Sequence, residues 1–207
     1  FEKIGAYAFY NSKNITNITI PRTVTTIDTR AFALCDNLSS LSFMGKDNVP
    51  ELSENIMYSS PKPGNVYIYV RKAWYENDAN KATVEKYNGI FKEVHPSFIV
   101  ESGYDRGLEF FPTSNTAAGV VSFAEPRTSV IIQKTATEKA YTDKYNKQWN
   151  EKTYDVSAIL DFAFEASTPS VKMVTVLADI SNIGVEAFRA PTLNELYFVG
   201  DVPATLS

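Results

Sequence analysis

The sequence holds one cysteine, Cys35, and one histidine, His95, among 207 residues. A single cysteine excludes an internal disulfide framework and a cysteine-rich zinc site. His95 precedes Pro96 in no ligand spacing, and a His-paired nucleophile would have to join it to Cys35 or to a serine. The nine glycines are scattered, so no glycine-rich strand-to-helix turn is present to cradle a phosphate. No apolar run approaches the roughly 18 residues a membrane span needs. Formal charge is −4 with both signs dispersed, so there is no basic stripe and nucleic acid is not an expected partner. Asp47-Asn48 and Asp201 sit among turn formers without the Asp-x-Asp-x-Asp-Gly spacing of a calcium loop. No spacing among the 24 acidic residues singles out a glycosidase pair. These absences predict a chain without a cofactor and without catalysis.

What is present is a repeat. Ile15, Ile18, Ile20, Val24 and Ile27 lead to Ala31-Phe32, with polar or turn-forming residues between them. Neither a period of 2 nor one of 3.6 fits this series. A short strand, a tight corner and a short helical or 3₁₀ turn facing one core does fit, and that is one coil of a solenoid. Ile4-Gly-Ala-Tyr-Ala8-Phe9 returns as Ile27-Asp-Thr-Arg-Ala31-Phe32, 23 residues on, and Ile15, Ile18 and Ile20 return as Leu38, Leu41 and Phe43. A step in the twenties belongs to the leucine-rich-repeat class, whose units must stack to cover their apolar faces. Phe1–Phe9 already lies inside a repeat, so the natural N-terminus is expected upstream and the lack of a leader carries no weight.

The second coil runs into Phe43-Met-Gly45 and Val49-Pro50, which read as a strand and an exit where the array pauses. In 61–97, Val66–Val70 reads as a strand, Ala79, Ala82, Val84 and Tyr87 predict one short helix over 75–87, and Phe91–Val94 returns to the sheet. Together they are expected to cap the open end of the preceding coils. In 98–153, β-prone runs around Phe98, Phe110, Val121 and Ile131 are separated by Gly103, Gly107, Pro112, Gly119 and Pro126, a small antiparallel unit. Tyr141, Tyr145 and Trp149 follow at i, i+4 and i+8, which lines one face of a helix and fits an aromatic-rich surface loop equally.

From Tyr154 the opening pattern comes back. Ile159 and Ala163-Phe164 are echoed by Ile183 and Ala187-Phe188 at a step of 24, and Leu196, Phe198-Val-Gly200 and Val202-Pro203 close the series. Ile159 against Ile4 and Phe198 against Phe43 give a super-repeat of 155 residues.

The string Ile-x-x-x-Ala-Phe-x-x-Cys-x-x-Leu-x-x-Leu-x-Phe from Ile27 to Phe43, with Ile18-Thr-Ile20-Pro21-x-x-Val24-x-x-Ile27 before it, resembles the BspA-type leucine-rich repeats. The resemblance spans about 1–50 and 154–205. Leu177-Ala178 stands where proline is usual, and Ser12, Ser167 and Pro191 replace the thiol of Cys35. The expected fold is a β-rich α/β solenoid with 23–24-residue units in two blocks, 1–60 and 154–207, around a strand-helix capping segment (61–97) and a β-rich insertion (98–153). The resemblance implies a cell-surface or secreted protein of a host-associated microbe, used for adhesion or ligand capture, with Cys35 packed as a small core thiol.

Two sets of residues are expected to meet a ligand. With the isoleucines of Ile18-Thr19-Ile20 inward, Thr19 and its counterparts Ser42, Thr175 and Tyr197 face outward, a sheet face suited to a host or matrix protein. The alternative is a surface glycan on an aromatic platform of Trp74, Tyr141, Tyr145 and Trp149. Asn14, Asn17 and Asn37 open sequons that matter only in a eukaryotic secretory pathway.

Overall fold

Short apolar pairs and alternations, each bounded by turn residues, fold as short strands in the computed structural model, which describes residues 2–59, 61–123, 127–165 and 171–202. Phe1, Pro126, Ser167 and Pro203 lie outside the described residues. The chain divides into two compact units, 1–97 and 98–207.

In the first unit the strands are β1 (Lys3–Ile4), β2 (Asn17–Ile20), β3 (Thr26–Ile27), β4 (Ser40–Phe43), β5 (Glu51–Leu52) and β6 (Tyr67–Val70). Helices α1 (Lys72–Glu76) and α2 (Lys81–Ile90) then lead to β7 (Glu93–Pro96). They form two parallel ladders, β1-β3-β5 and β2-β4-β6-β7. Lys3, Thr26 and Glu51 are in register, at steps of 23 and 25 residues. Asn17, Ser40, Tyr67 and Glu93 are in register, at steps of 23, 27 and 26. Ile20, Phe43 and Val70 make one buried file along the second ladder, and Leu41, Ile68 and Val94 the next.

The corner after each strand of the first ladder has one geometry. Tyr7, Arg30 and Asn55 occupy the same place in successive turns, with φ of 60°, 57° and 56°. Phe9 N–H donates to Ala31 O at 2.8 Å and Phe32 N–H to Ile56 O at 2.9 Å, which ties each turn to the next. The Phe9 and Phe32 rings stack, centroids 5.4 Å apart.

Two expectations for this unit are corrected. The array does not pause at Val49-Pro50, because Glu51-Leu52 pairs with Thr26-Ile27 and begins a third turn. Leu52, Ile56 and Met57 stand there for isoleucine, alanine and phenylalanine, and the step lengthens to 25, so the pattern is hidden. The single helix over 75–87 is two, α1 and α2, because Asn77 turns extended (φ −75°, ψ 123°) and its side chain accepts the Ala79 N–H. Residues 61–97 extend the second ladder by two strands.

The second unit opens with β8 (Phe98–Ile99), β9 (Leu108–Pro112), β10 (Ala117–Phe123), β11 (Ser129–Ile132) and β12 (Thr135–Glu138). It continues with β13 (Tyr141–Thr142), β14 (Gln148–Trp149), β15 (Lys152–Ile159), β16 (Met173–Val176), β17 (Asn182–Ile183) and β18 (Glu195–Phe198). The expected antiparallel run is present as β8-β9-β10. Yet β10 also pairs in parallel with β15, and β11 with β16, so these two strands enter the same ladders as the later repeats. Val120, Ile159 and Ile183 are in register in one ladder, and Ile131, Thr175 and Tyr197 in the other. The core gathers Phe110, Phe123, Ile132, Tyr154, Phe164 and Val174. The corner recurs as well: Phe162 and Glu186 have φ of 58° and 50°, and the Phe164 and Phe188 rings stack at 5.5 Å.

Candidate functional site

The outward positions separate into two rows, one in each unit. Thr19 is exposed on β2, in register with Ser42, Tyr69 and His95. Ser42 departs from expectation: it is 1% exposed, lying beside Tyr69, whose own ring is buried. Thr175 is half-buried, between Ile131 and Tyr197, and Tyr197 is 51% exposed with its hydroxyl donating to Glu195 Oε2 at 2.9 Å. That hydrogen bond to a carboxylate, with its charge, pushes the Tyr197 phenol up from its ordinary value.

The aromatic set is not one platform. Trp74 is 3% exposed on α1, where it belongs to the core of the first unit. Tyr141, Tyr145 and Trp149 form a β-hairpin, neither the helix face nor an irregular surface loop, with Tyr141 directly across from Trp149. The reason is local. Asp143 Oδ1 accepts the N–H groups of Tyr145 and Lys147 at 2.8 and 3.0 Å, Asp143 Oδ2 accepts the Trp149 indole at 3.0 Å, and Asn146 takes φ 61°. An Asx turn followed by a left-handed residue favours a hairpin over helix continuation. Tyr141 stacks on Trp149 at 6.2 Å and the Lys147 ammonium lies 4.0 Å from the indole centroid, leaving Trp149 only 7% exposed.

A cluster that the outward-row reading overlooks lies on the corners of the first unit. Arg30 Nη1 donates to Tyr7 Oη at 2.7 Å, and its guanidinium lies 4.5 Å from the Tyr58 ring centroid. Tyr7 and Tyr10 meet edge to face at 5.7 Å. The three tyrosines are 47%, 51% and 52% exposed. The signal was in the sequence, since Tyr7 and Arg30 are 23 residues apart at one repeat position, but it carried no motif.

Beside α2 lies a cavity of about 320 Å³, lined by Leu52, Ile56, Met57, Tyr87, Ile90 and Phe91 among others. Tyr87 donates to Pro50 O at 3.3 Å, and burial, with the Glu51 charge adding, pushes its phenol up to about 12. A phenol whose folded pKa exceeds its unfolded value of about 10 contributes stability that is whole below pH 10 and lost as pH rises through 12. The urea midpoint is therefore expected to fall between pH 10 and 12, and less so in Tyr87→Phe. Identical falls in the two proteins would remove Tyr87 as the cause.

Cys35 is buried, its Sγ 2.9 Å from Phe9 O, and burial pushes the thiol up, away from nucleophilic use. His95 is buried with Nδ1 2.7 Å from Pro96 O. Among the described residues no group of three or more His, Cys, Asp or Glu could hold a metal ion, and no helix is long and apolar enough to cross a membrane. Of the sequon asparagines, Asn37 donates to Lys13 O and Asn17 accepts from Ser39 and Ser40.

A first unit that lays the short strands of successive 23–27-residue turns into two parallel ladders, with Phe9 stacked on Phe32 between its first two corners, has the make-up of leucine-rich repeats. More narrowly, residues 2–75 match the family described as BspA type Leucine rich repeat region (6 copies). Among solved structures, a leucine rich cell surface protein from Faecalibacterium prausnitzii A2-165 is similar at 13% identity, over 95% of this chain and 51% of its own, with a TM-score of 0.34. The chain thus spans about half the length of that protein. No curated protein matches the chain.

Proposed function

We propose that the chain is a non-catalytic binding module of a cell-surface or secreted protein. Its parallel ladders are the coils of a solenoid, and it adheres to a host or matrix protein through an outward sheet face. The repeat type of residues 2–75 supports the surface setting. The observation that carries the placement is Tyr197, half exposed at the end of the row Ile131–Thr175–Tyr197, with Leu196, Val199 and Val202 exposed nearby. Tyrosine beside apolar groups is the composition of interface hot spots. The glycan reading through Trp74, Tyr141, Tyr145 and Trp149 is weaker, since both tryptophans are buried and the Trp149 ring already has Tyr141 and Lys147 against it.

The test presents the purified chain to arrays of matrix proteins and of glycans, with a heat-unfolded control. Saturable binding to a matrix protein is expected, lost on unfolding and weakened about tenfold or more by Tyr197→Arg, with Thr19→Arg probing the first unit's row. Trp149→Ala should leave it unchanged. Glycan binding alone, abolished by Trp149→Ala, would overturn the sheet-face reading in favour of the hairpin.

A further inference from the structure

The cluster around Arg30 is built by the repeat itself. Tyr7, Arg30 and Asn55 take the same left-handed corner position in three consecutive turns. Three residues further on stand Tyr10, Ala33 and Tyr58, so Arg30 sits in the middle turn with a tyrosine turn on either side. Adjacent turns are about 4.8 Å apart, which puts Tyr10 and Tyr58 two spacings from each other. Ala33 is fully buried and raises nothing beyond its Cβ between them. The result is a surface cluster in which a guanidinium lies between Tyr7 and Tyr58, with exposed phenol rings on the turns to either side.

Among the described residues no acid is paired with the Arg30 charge. Arg30 uses one N–H on the Tyr7 hydroxyl and rests on the Tyr58 ring, neither of which neutralises it. Asp28, the acid of its own turn, is 2.8 Å from Lys3. A guanidinium has five donors in a fixed fork, and the hold of Tyr7 and Tyr58 fixes the plane in which the others point. Such a fork matches one carboxylate bidentately. Flanking rings offer flat apolar faces of the kind on which the C–H face of a pyranose packs. A polyanion fits less well, because Glu51 and Glu54 are exposed on the third turn and the chain is net negative.

We propose that Arg30, Tyr7, Tyr10 and Tyr58 form a binding site for a sugar bearing a single carboxylate, the acid held by Arg30 and the ring lying on the tyrosines. The site lies in the first unit, on the corners, and can stand or fall independently of a matrix-protein face at Tyr197.

Saturation-transfer NMR and calorimetric titration with glucuronic acid and N-acetylneuraminic acid test it, against glucose, N-acetylglucosamine and acetate. Saturable binding of an acid sugar is expected, with its neutral counterpart and acetate at least about tenfold weaker. Arg30→Gln should remove the preference for acid over neutral sugar, Arg30→Lys should restore part of it, and Tyr58→Ala should weaken every sugar. Circular dichroism of each variant checks that the array is intact. Absence of saturable binding by the wild type, equal affinity for glucose and glucuronic acid, or unchanged binding in a folded Arg30→Gln protein would each overturn the proposal.

Discussion

Phe32→Ala is expected to lower stability by about 3–5 kcal/mol, the cost of truncating a fully buried phenylalanine. Phe32 is 0% exposed, stacks on Phe9, and belongs to a segment whose N–H is bonded to the following turn at Ile56. The void cannot close without drawing one turn of the array towards the next, which would strain the ladder hydrogen bonds on both sides. Urea denaturation followed by far-UV circular dichroism reads the loss. A cost below about 1 kcal/mol would mean that the stacked rings fill space without holding the turns together. Phe9→Ala is the matched comparison, and its cost should be smaller because Phe9 is only half-buried.

Gly184→Ala is expected to cost about 1–3 kcal/mol, as overpacking does. A Cβ there would overlap the backbone nitrogen of Asp161 and the carbonyl carbon of Leu160 in the preceding turn, atoms that no rotamer change can move aside. The same place is closed by Gly184 N–H to Ile159 O at 2.7 Å and by Val185 N–H to Asp161 Oδ1 at 2.8 Å. Gly89, inside α2, has nothing within 4 Å of a Cβ built on it. Gly89→Ala should therefore be neutral or stabilising by up to about 1 kcal/mol. Thermal denaturation of the pair decides the matter, and equal effects at the two sites would rule out the close approach between turns as the cause.

The repeat was legible where one turn reused the residues of another. Ile4 and Ile27, and Leu41 and Phe43, fall on ladders in register at the step the pattern predicts, with Ala31 and Phe32 at the corner between the ladders. It was lost where a turn kept its shape with other side chains. Leu52, Ile56 and Met57 fill their turn as well as isoleucine, alanine and phenylalanine do, and β10 and β11 join the ladders without the Ala-Phe signature. At Tyr141–Trp149 a true helical spacing was overruled by Asp143, whose carboxylate collects three donors that a helix would have left elsewhere. The strand alternation correctly put Thr19 and Tyr197 outward. It could not tell that Ser42, on the same face, would be buried, because alternation assigns a side and says nothing of what lies over it. Trp74 suits a ligand platform or a core equally by residue type, and only its place on α1 decides for the core; the members of the Arg30 cluster are adjacent only once the turns are stacked.

The left-handed corner residue has one further consequence. Tyrosine, arginine, asparagine, phenylalanine and glutamate hold it with φ confined to 50–60°. A conformation that L-residues ordinarily avoid is thus imposed on whatever side chain arrives, at a cost of order 1 kcal/mol that the neighbouring turns offset. The position behaves as a socket: chemistry can be exchanged there from turn to turn while the frame keeps its pitch, so the array can diversify its recognition surface one residue at a time.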